Sequence, residues 1–156
     1  MLKEQDASII TGTTGFKNPN EANQYSAGLS GMNKTGFAYH WIIATLSDNT
    51  PVGFCNIYLP APHLLHLKNC EVSFGLSPAV RGNGYMKESL EACLAFIFQN
   101  EGFERVEAYV SPTNLASMSL LEGLGFNQEG LQHQKWRIGN ERHDMFMYAL
   151  LAKAFV

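Results

Sequence analysis

The stretch Arg81-Gly82-Asn83-Gly84-Tyr85-Met86 constrains this chain more than any other. Before it, Cys70-Glu71-Val72-Ser73-Phe74-Gly75-Leu76 reads as a strand. After it, Met86, Leu90, Cys93, Leu94 and Ile97 recur at helical spacing. A glycine turn that delivers a strand into a helix leaves the first N–H groups of that helix unpaired, at the positive end of its dipole. Gly82 and Gly84 carry no Cβ, so an anion can approach the backbone closely. The unit is suited to a ligand that carries phosphate.

Two familiar phosphate loops do not match. A P-loop needs a Lys-Ser/Thr pair after its last glycine, and Gly84 is followed by Tyr85-Met86. A dinucleotide fingerprint needs a third glycine and an early position in the chain, and this segment lacks both. The segment resembles instead the pyrophosphate loop of the GNAT N-acetyltransferases, Arg/Gln-x-x-Gly-x-Gly/Ala, with Met86 at the last small position. A second segment, running from Asn114 through Ser117 and Glu122 to Gly125-Phe126, is similar to that family's signature Asn-x-x-Ser-x-x-x-x-Glu-x-x-Gly-Phe. It follows the strand-like Arg105-Val106-Glu107-Ala108-Tyr109-Val110, in the family's order. The resemblance runs from about Phe37 to Leu150 and points to the ribosomal-protein N-terminal (RimJ/RimL-type) branch.

The 156 residues suit one domain with its own core. At 46% hydrophobic and 16% charged the balance is globular. A net charge of -3 without any basic tract argues against a nucleic-acid partner. No apolar run approaches the roughly 20 residues of a membrane helix. Cys55, Cys70 and Cys93 form neither a CxxC pair nor a zinc pattern, and reduced thiols suit a cytoplasmic protein. His63 and His66 have no acid or cysteine beside them, so no metal is expected.

Along the chain, residues 1–17 are polar and read as flexible, and Asn18-Pro19-Asn20-Glu21 reads as a helix start. Strands are expected over 37–46 and 52–59, joined by the turn at 47–51, and over 69–76. A helix follows to about Asn100. Then come a strand over 104–110, a helix over 114–124, and strands over 126–133 and 142–150. This order gives a mixed α/β fold, with a mostly antiparallel central sheet and flanking helices. The resemblance implies the acyl-CoA N-acyltransferase fold. A typical member begins with one more strand and helix, reading Leu-x-Leu-Arg, and that pattern is absent here. A bare sheet edge would follow, which a second copy in a homodimer could cover.

The resemblance implies acetyl-CoA as co-substrate. The pyrophosphate would bind at Arg81, Gly82, Asn83, Gly84, Tyr85 and Met86. The pantetheine arm would lie between the strands that end at Leu76 and Val110, bonded also by the Asn114 side chain. The chemistry is direct attack of an amine on the thioester carbonyl, with a base, an oxyanion donor near Leu76 and a proton for the leaving thiolate. Many relatives carry a Tyr where this chain has Leu121, which cannot donate. Ser117 is assigned the donor role, its alternative being a local helix cap. Glu71 is assigned the base, its alternative being a carboxylate paired with a cation, and His133 is the runner-up. The acceptor is a primary amine, either a peptide N-terminus or a small molecule. An α-amine titrates near 8 and a lysine near 10.4, so neutralising the latter costs roughly 3 kcal/mol more. A non-catalytic acyl-CoA-binding module is the second reading.

Overall fold

The computed structural model describes residues 38–60 and 62–155. The polar start, the expected helix after Asn18 and the question of a bare edge lie outside them. Six strands form one sheet: β1 (Ala38–Ala44), β2 (Pro51–Tyr58), β3 (Asn69–Leu76), β4 (Arg105–Val110), β5 (Asn127–Ile138) and β6 (Glu141–Leu151). Their spatial order is β1-β2-β3-β4-β6-β5. Every pairing is antiparallel except β3 with β4. Two helices separate the central strands, α1 (Tyr85–Ala95), continued by a π-helical turn over Phe96–Asn100, and α2 (Leu115–Gly123). No helix among the described residues is long and apolar enough to cross a membrane.

Alternation along the strands divides the sheet into two unlike faces. One face carries Cys55, Ile57, Cys70, Val72, Val106, Ala108, Tyr148 and Leu150, all buried. Against it α1 sets Met86, Leu90, Cys93, Leu94 and then Ile97, the helical stripe of the sequence. Tyr39 and Trp41 stack at 5.6 Å on this side, and both meet the Phe96 ring edge-on. Tyr148, fully buried, donates from its hydroxyl to Glu122 of α2 at 3.0 Å. The other face is polar and carries His40, Asn56, Tyr58, Glu71, Ser73, Arg105, Glu107 and Tyr109.

One expectation changes in detail. The strand expected to stop at His133 continues to Ile138. Between β2 and β3 lies a 3-10 turn over Pro62–Leu67.

Candidate active site

The parallel pair β3–β4 is in register only at Asn69 with Arg105, Cys70 with Val106 and Glu71 with Glu107. Beyond that point the strands part. β3 stays paired to β2 up to Leu76 opposite Gly53, and β4 stays paired to β6 up to Val110 opposite Phe146. Each strand is thus held on its outer side and open on its inner side. The backbone groups that face the gap have no strand partner, which is an arrangement an extended chain can bond like an added strand.

The wide end of the gap opens on the glycine turn. Gly82 and Gly84 sit at φ 82° and 83°, and a Cβ at either would meet nothing within 4 Å. Glycine is therefore required there by backbone conformation, and no described residue fills the space in front of the loop. The first helical bond of α1 runs from the Glu88 N–H to the Gly84 carbonyl at 3.1 Å, which leaves the N–H groups from Gly84 to Lys87 without helical partners. Asn83 knits the turn by donating to the Val80 carbonyl at 3.1 Å. Arg81 donates through Nε to the Leu76 carbonyl at 3.2 Å, tying the loop to the end of β3. Tyr85 is exposed, whereas the Met86 side chain is buried in the core, as are those of Leu76 and Val110. Met86 and Leu76 can serve a ligand only through their backbone, and the Val110 backbone is paired with Phe146 of β6.

At the narrow end stand two carboxylates. Glu71 and Glu107 are register partners on the polar face, at the last pair before the strands separate. They differ in their surroundings. Glu107 accepts from Arg105 Nε at 2.8 Å and from the Tyr109 hydroxyl at 3.2 Å. Glu71 accepts no hydrogen bond among the described residues. Burial pushes its carboxyl above the ordinary range; the Lys135 charge pulls it down and the Glu107 charge pushes it up. A carboxylate that is desolvated and unengaged is the better proton acceptor of the two.

A family model for the acetyltransferase (GNAT) domain matches residues 3–127. The chain belongs to the GNAT acetyltransferase family. The match reaches back well before the span that the two motifs carry. Probable N-acetyltransferase YjcK of Bacillus subtilis is 30% identical over 113 residues, covering 72% of this chain and 61% of that protein. The [ribosomal protein uS5]-alanine N-acetyltransferase of Escherichia coli is 24% identical over 122 residues, covering 78% of this chain and 62% of that protein. The chain thus spans about three fifths of the length of either relative. The structure of Mycobacterium smegmatis RimJ in complex with CoA-disulfide superposes with a TM-score of 0.77 at 22% identity, over 86% of this chain and 62% of that one. This last likeness is one of fold.

The second GNAT signature occupies the start of α2, just past β4. Asn114 is its N-cap, accepting from the Ser117 N–H at 3.1 Å. The cap is therefore Asn114, not Ser117, whose hydroxyl is half-buried and makes no hydrogen bond among the described residues. Capping occupies the Asn114 carbonyl oxygen and leaves its amide N–H groups available. Leu121, where many GNAT relatives carry a tyrosine, is fully buried. His133 is exposed, and its ring meets Asp144 at 3.0 Å in a structural contact of the last hairpin. Among the described residues no group of three His, Cys, Asp or Glu is placed to hold a metal. A hollow of about 460 Å³ bordered by Glu91, Gly123 to Gly125, Ala154 and Phe155 shares no residue with this site.

Reading the sequence alone misses three residues of the polar face: Glu107, Tyr109 and Lys135. The first two had a signal, because strand alternation from Arg105 puts 105, 107 and 109 on one side. Lys135, whose Nζ lies 4.6 Å from the centre of the Tyr109 ring, had none.

Proposed function

We propose that this chain is an acetyl-CoA-dependent N-acetyltransferase that acts on a primary amine, with a protein N-terminal α-amine as the preferred acceptor. The observation that carries the reading is the gap between β3 and β4. It has an unpaired helix N-terminus at one end and an unengaged carboxylate at the other. The pyrophosphate binds the N–H groups of the loop from Gly82 to Met86, and Arg81 adds positive charge. The pantetheine arm bonds the open inner edges of β3, at Leu76, and of β4, together with the Asn114 amide. Glu71 takes the proton of the incoming ammonium. The amine nitrogen attacks the thioester carbon, and backbone N–H groups near Leu76 receive the developing oxyanion. As the intermediate collapses, the C–S bond breaks, Ser117 protonates the thiolate, and the second nitrogen proton passes through water to restore the serine hydroxyl.

An α-amine is favoured because a single glutamate must do the deprotonation, and an amine near 8 asks roughly 3 kcal/mol less of it than one near 10.4. The sequence relationship to a uS5-alanine N-acetyltransferase supports the same acceptor class.

The test is calorimetric titration with acetyl-CoA, followed by thiol release with peptides, polyamines and amino acids. Gly84→Val should weaken acetyl-CoA binding at least tenfold, since a β-branched residue cannot hold φ 83° cheaply and its side chain fills the phosphate space. Unaltered affinity in that variant refutes the loop assignment. Binding without thiol release from any peptide refutes the acceptor.

A further inference from the structure

β5 carries a wide bulge opposite Asp144. Gln132 faces Met145 and Trp136 faces His143, so three residues of β5 oppose one of β6. At its centre Gln134 has φ 52°, a left-handed conformation uncommon outside glycine. Asp144 holds it there: one carboxylate oxygen accepts the Gln134 N–H at 2.7 Å and the other meets His133 at 3.0 Å. Arg142 closes the bulge by donating to the Gln134 carbonyl at 3.1 Å. The product of this construction is the placement of Lys135. Its ammonium lies 4.6 Å over the ring of Tyr109, on β4 beside the gap, and within electrostatic reach of Glu71. A primary amine therefore already stands over Tyr109 on the polar face, near enough to the carboxylate assigned as base for its charge to act on it.

We infer that Lys135 is a site of self-acetylation, in which the chain transfers the acetyl group of its own bound acetyl-CoA to Lys135 Nζ. The inference rests on the acetyltransferase reading above. Glu71 accepts one ammonium proton, the Nζ lone pair forms the C–N bond, and the C–S bond breaks. The thiolate takes a proton from Ser117, which water restores, and the second nitrogen proton leaves to solvent. The products are Nε-acetyl-lysine and free CoA thiol. A lysine offers about 250-fold less neutral amine than an α-amine at the same pH. Attachment to the site outweighs this, because well-oriented intramolecular reactions reach effective concentrations on the order of 10⁵ M and above. Acetylation then removes the charge that pulls the Glu71 carboxyl down, so the acid limb of the modified chain's activity toward external amines moves to higher pH.

The experiment uses the full chain with acetyl-CoA and no acceptor, read by intact mass and by peptide mapping. Expected is one acetyl group per chain, at Lys135, at a rate per molecule independent of protein concentration. That rate should exceed acetylation of the exposed Lys87 by at least tenfold. Glu71→Gln should bring Lys135 down to the Lys87 rate while acetyl-CoA binding persists, and Lys135→Arg should abolish the major product. Acetylation of Lys135 no faster than Lys87 overturns the proposal, as chemical acetylation by the thioester. If the same sample binds acetyl-CoA and releases thiol with a peptide while Lys135 stays unmodified, this proposal alone falls. If it does not bind acetyl-CoA, both fall.

Discussion

Gly53 lies outside every motif, yet the geometry makes it a determinant of the gap between β3 and β4. It sits opposite Leu76 in the β2–β3 ladder. A Cβ built there falls 2.3 Å from the Gly75 carbonyl oxygen, 2.6 Å from Leu76 Cδ2 and 3.2 Å from Leu76 Cα. Leu76 Cδ2 can rotate away; the Gly75 carbonyl cannot. Ordinary contact begins near 3.4 Å, so Gly53→Ala must displace the end of β3 by about 1 Å. β3 is unpaired on its other side, so it yields into the gap. Overpacking of this kind costs about 1–3 kcal/mol. In a chain of this size each kcal/mol lowers Tm by roughly 2–4 °C, so Tm should fall by about 2–12 °C. The displaced backbone groups are those assigned to pantetheine, and each hydrogen bond lost there is worth about 1 kcal/mol, or roughly fivefold in Kd. Thermal unfolding with and without acetyl-CoA reads both effects, because a weakened ligand gives a smaller stabilisation. Gly123→Ala is the control. Its Cβ meets nothing within 4 Å in helical backbone, and it should gain about 0.5–1 kcal/mol. A Gly53→Ala protein with unchanged Tm and unchanged acetyl-CoA affinity refutes the reasoning.

The pH dependence of Glu71 follows from its surroundings. Burial and Glu107 raise its carboxyl and Lys135 lowers it. The acid limb of kcat/KM should therefore move to higher pH in Lys135→Met and to lower pH in Glu107→Gln; shifts in the same direction would exclude Glu71 as the titrating base. Stability has its own sign. The folded chain binds this proton more tightly than the unfolded one, so the Glu71 contribution is present in acid and is lost as pH rises from the ordinary 4.5 through the folded value. Glu71→Gln should flatten unfolding free energy across that interval, as measured by urea titration at stepped pH. Ser117→Ala should lower kcat by about 10²–10⁴, the usual worth of a general acid, with acetyl-CoA Kd unchanged. An unaltered kcat removes Ser117 from the mechanism.

The glycine turn and the Asn114 cap were legible in the sequence, and the surroundings of the two carboxylates were not. The difference lies in how each is built. Gly82 and Gly84 are needed for a local backbone conformation, and Asn114 caps the helix it begins, so each requirement is written within a few residues of its cause. The resemblance places the pantetheine arm between the strands that end at Leu76 and Val110, and it assigns Glu71 as the base. That it, and not Glu107, is the unengaged carboxylate depends on Arg105 and Tyr109 binding Glu107.

Lys135 shows the limit most clearly. By alternation alone β5 ends near His133, because the next residues, Gln134, Lys135 and Trp136, carry no strand pattern. The strand in fact continues to Ile138, and the pattern is lost only because Asp144, eleven residues after His133, takes the place of a ladder partner for the bulged segment. One carboxylate on the neighbouring strand thus stabilises a left-handed glutamine, lets β5 run on, and turns Lys135 toward Tyr109. The segment around Asp144 is structural. What it builds is the placement of an amine on the face that carries the carboxylate assigned as base. Asp144→Ala should therefore act at a distance. It should release the bulge and lower Lys135 acetylation toward the Lys87 rate, while acetyl-CoA affinity, assigned to the glycine turn, stays as it was.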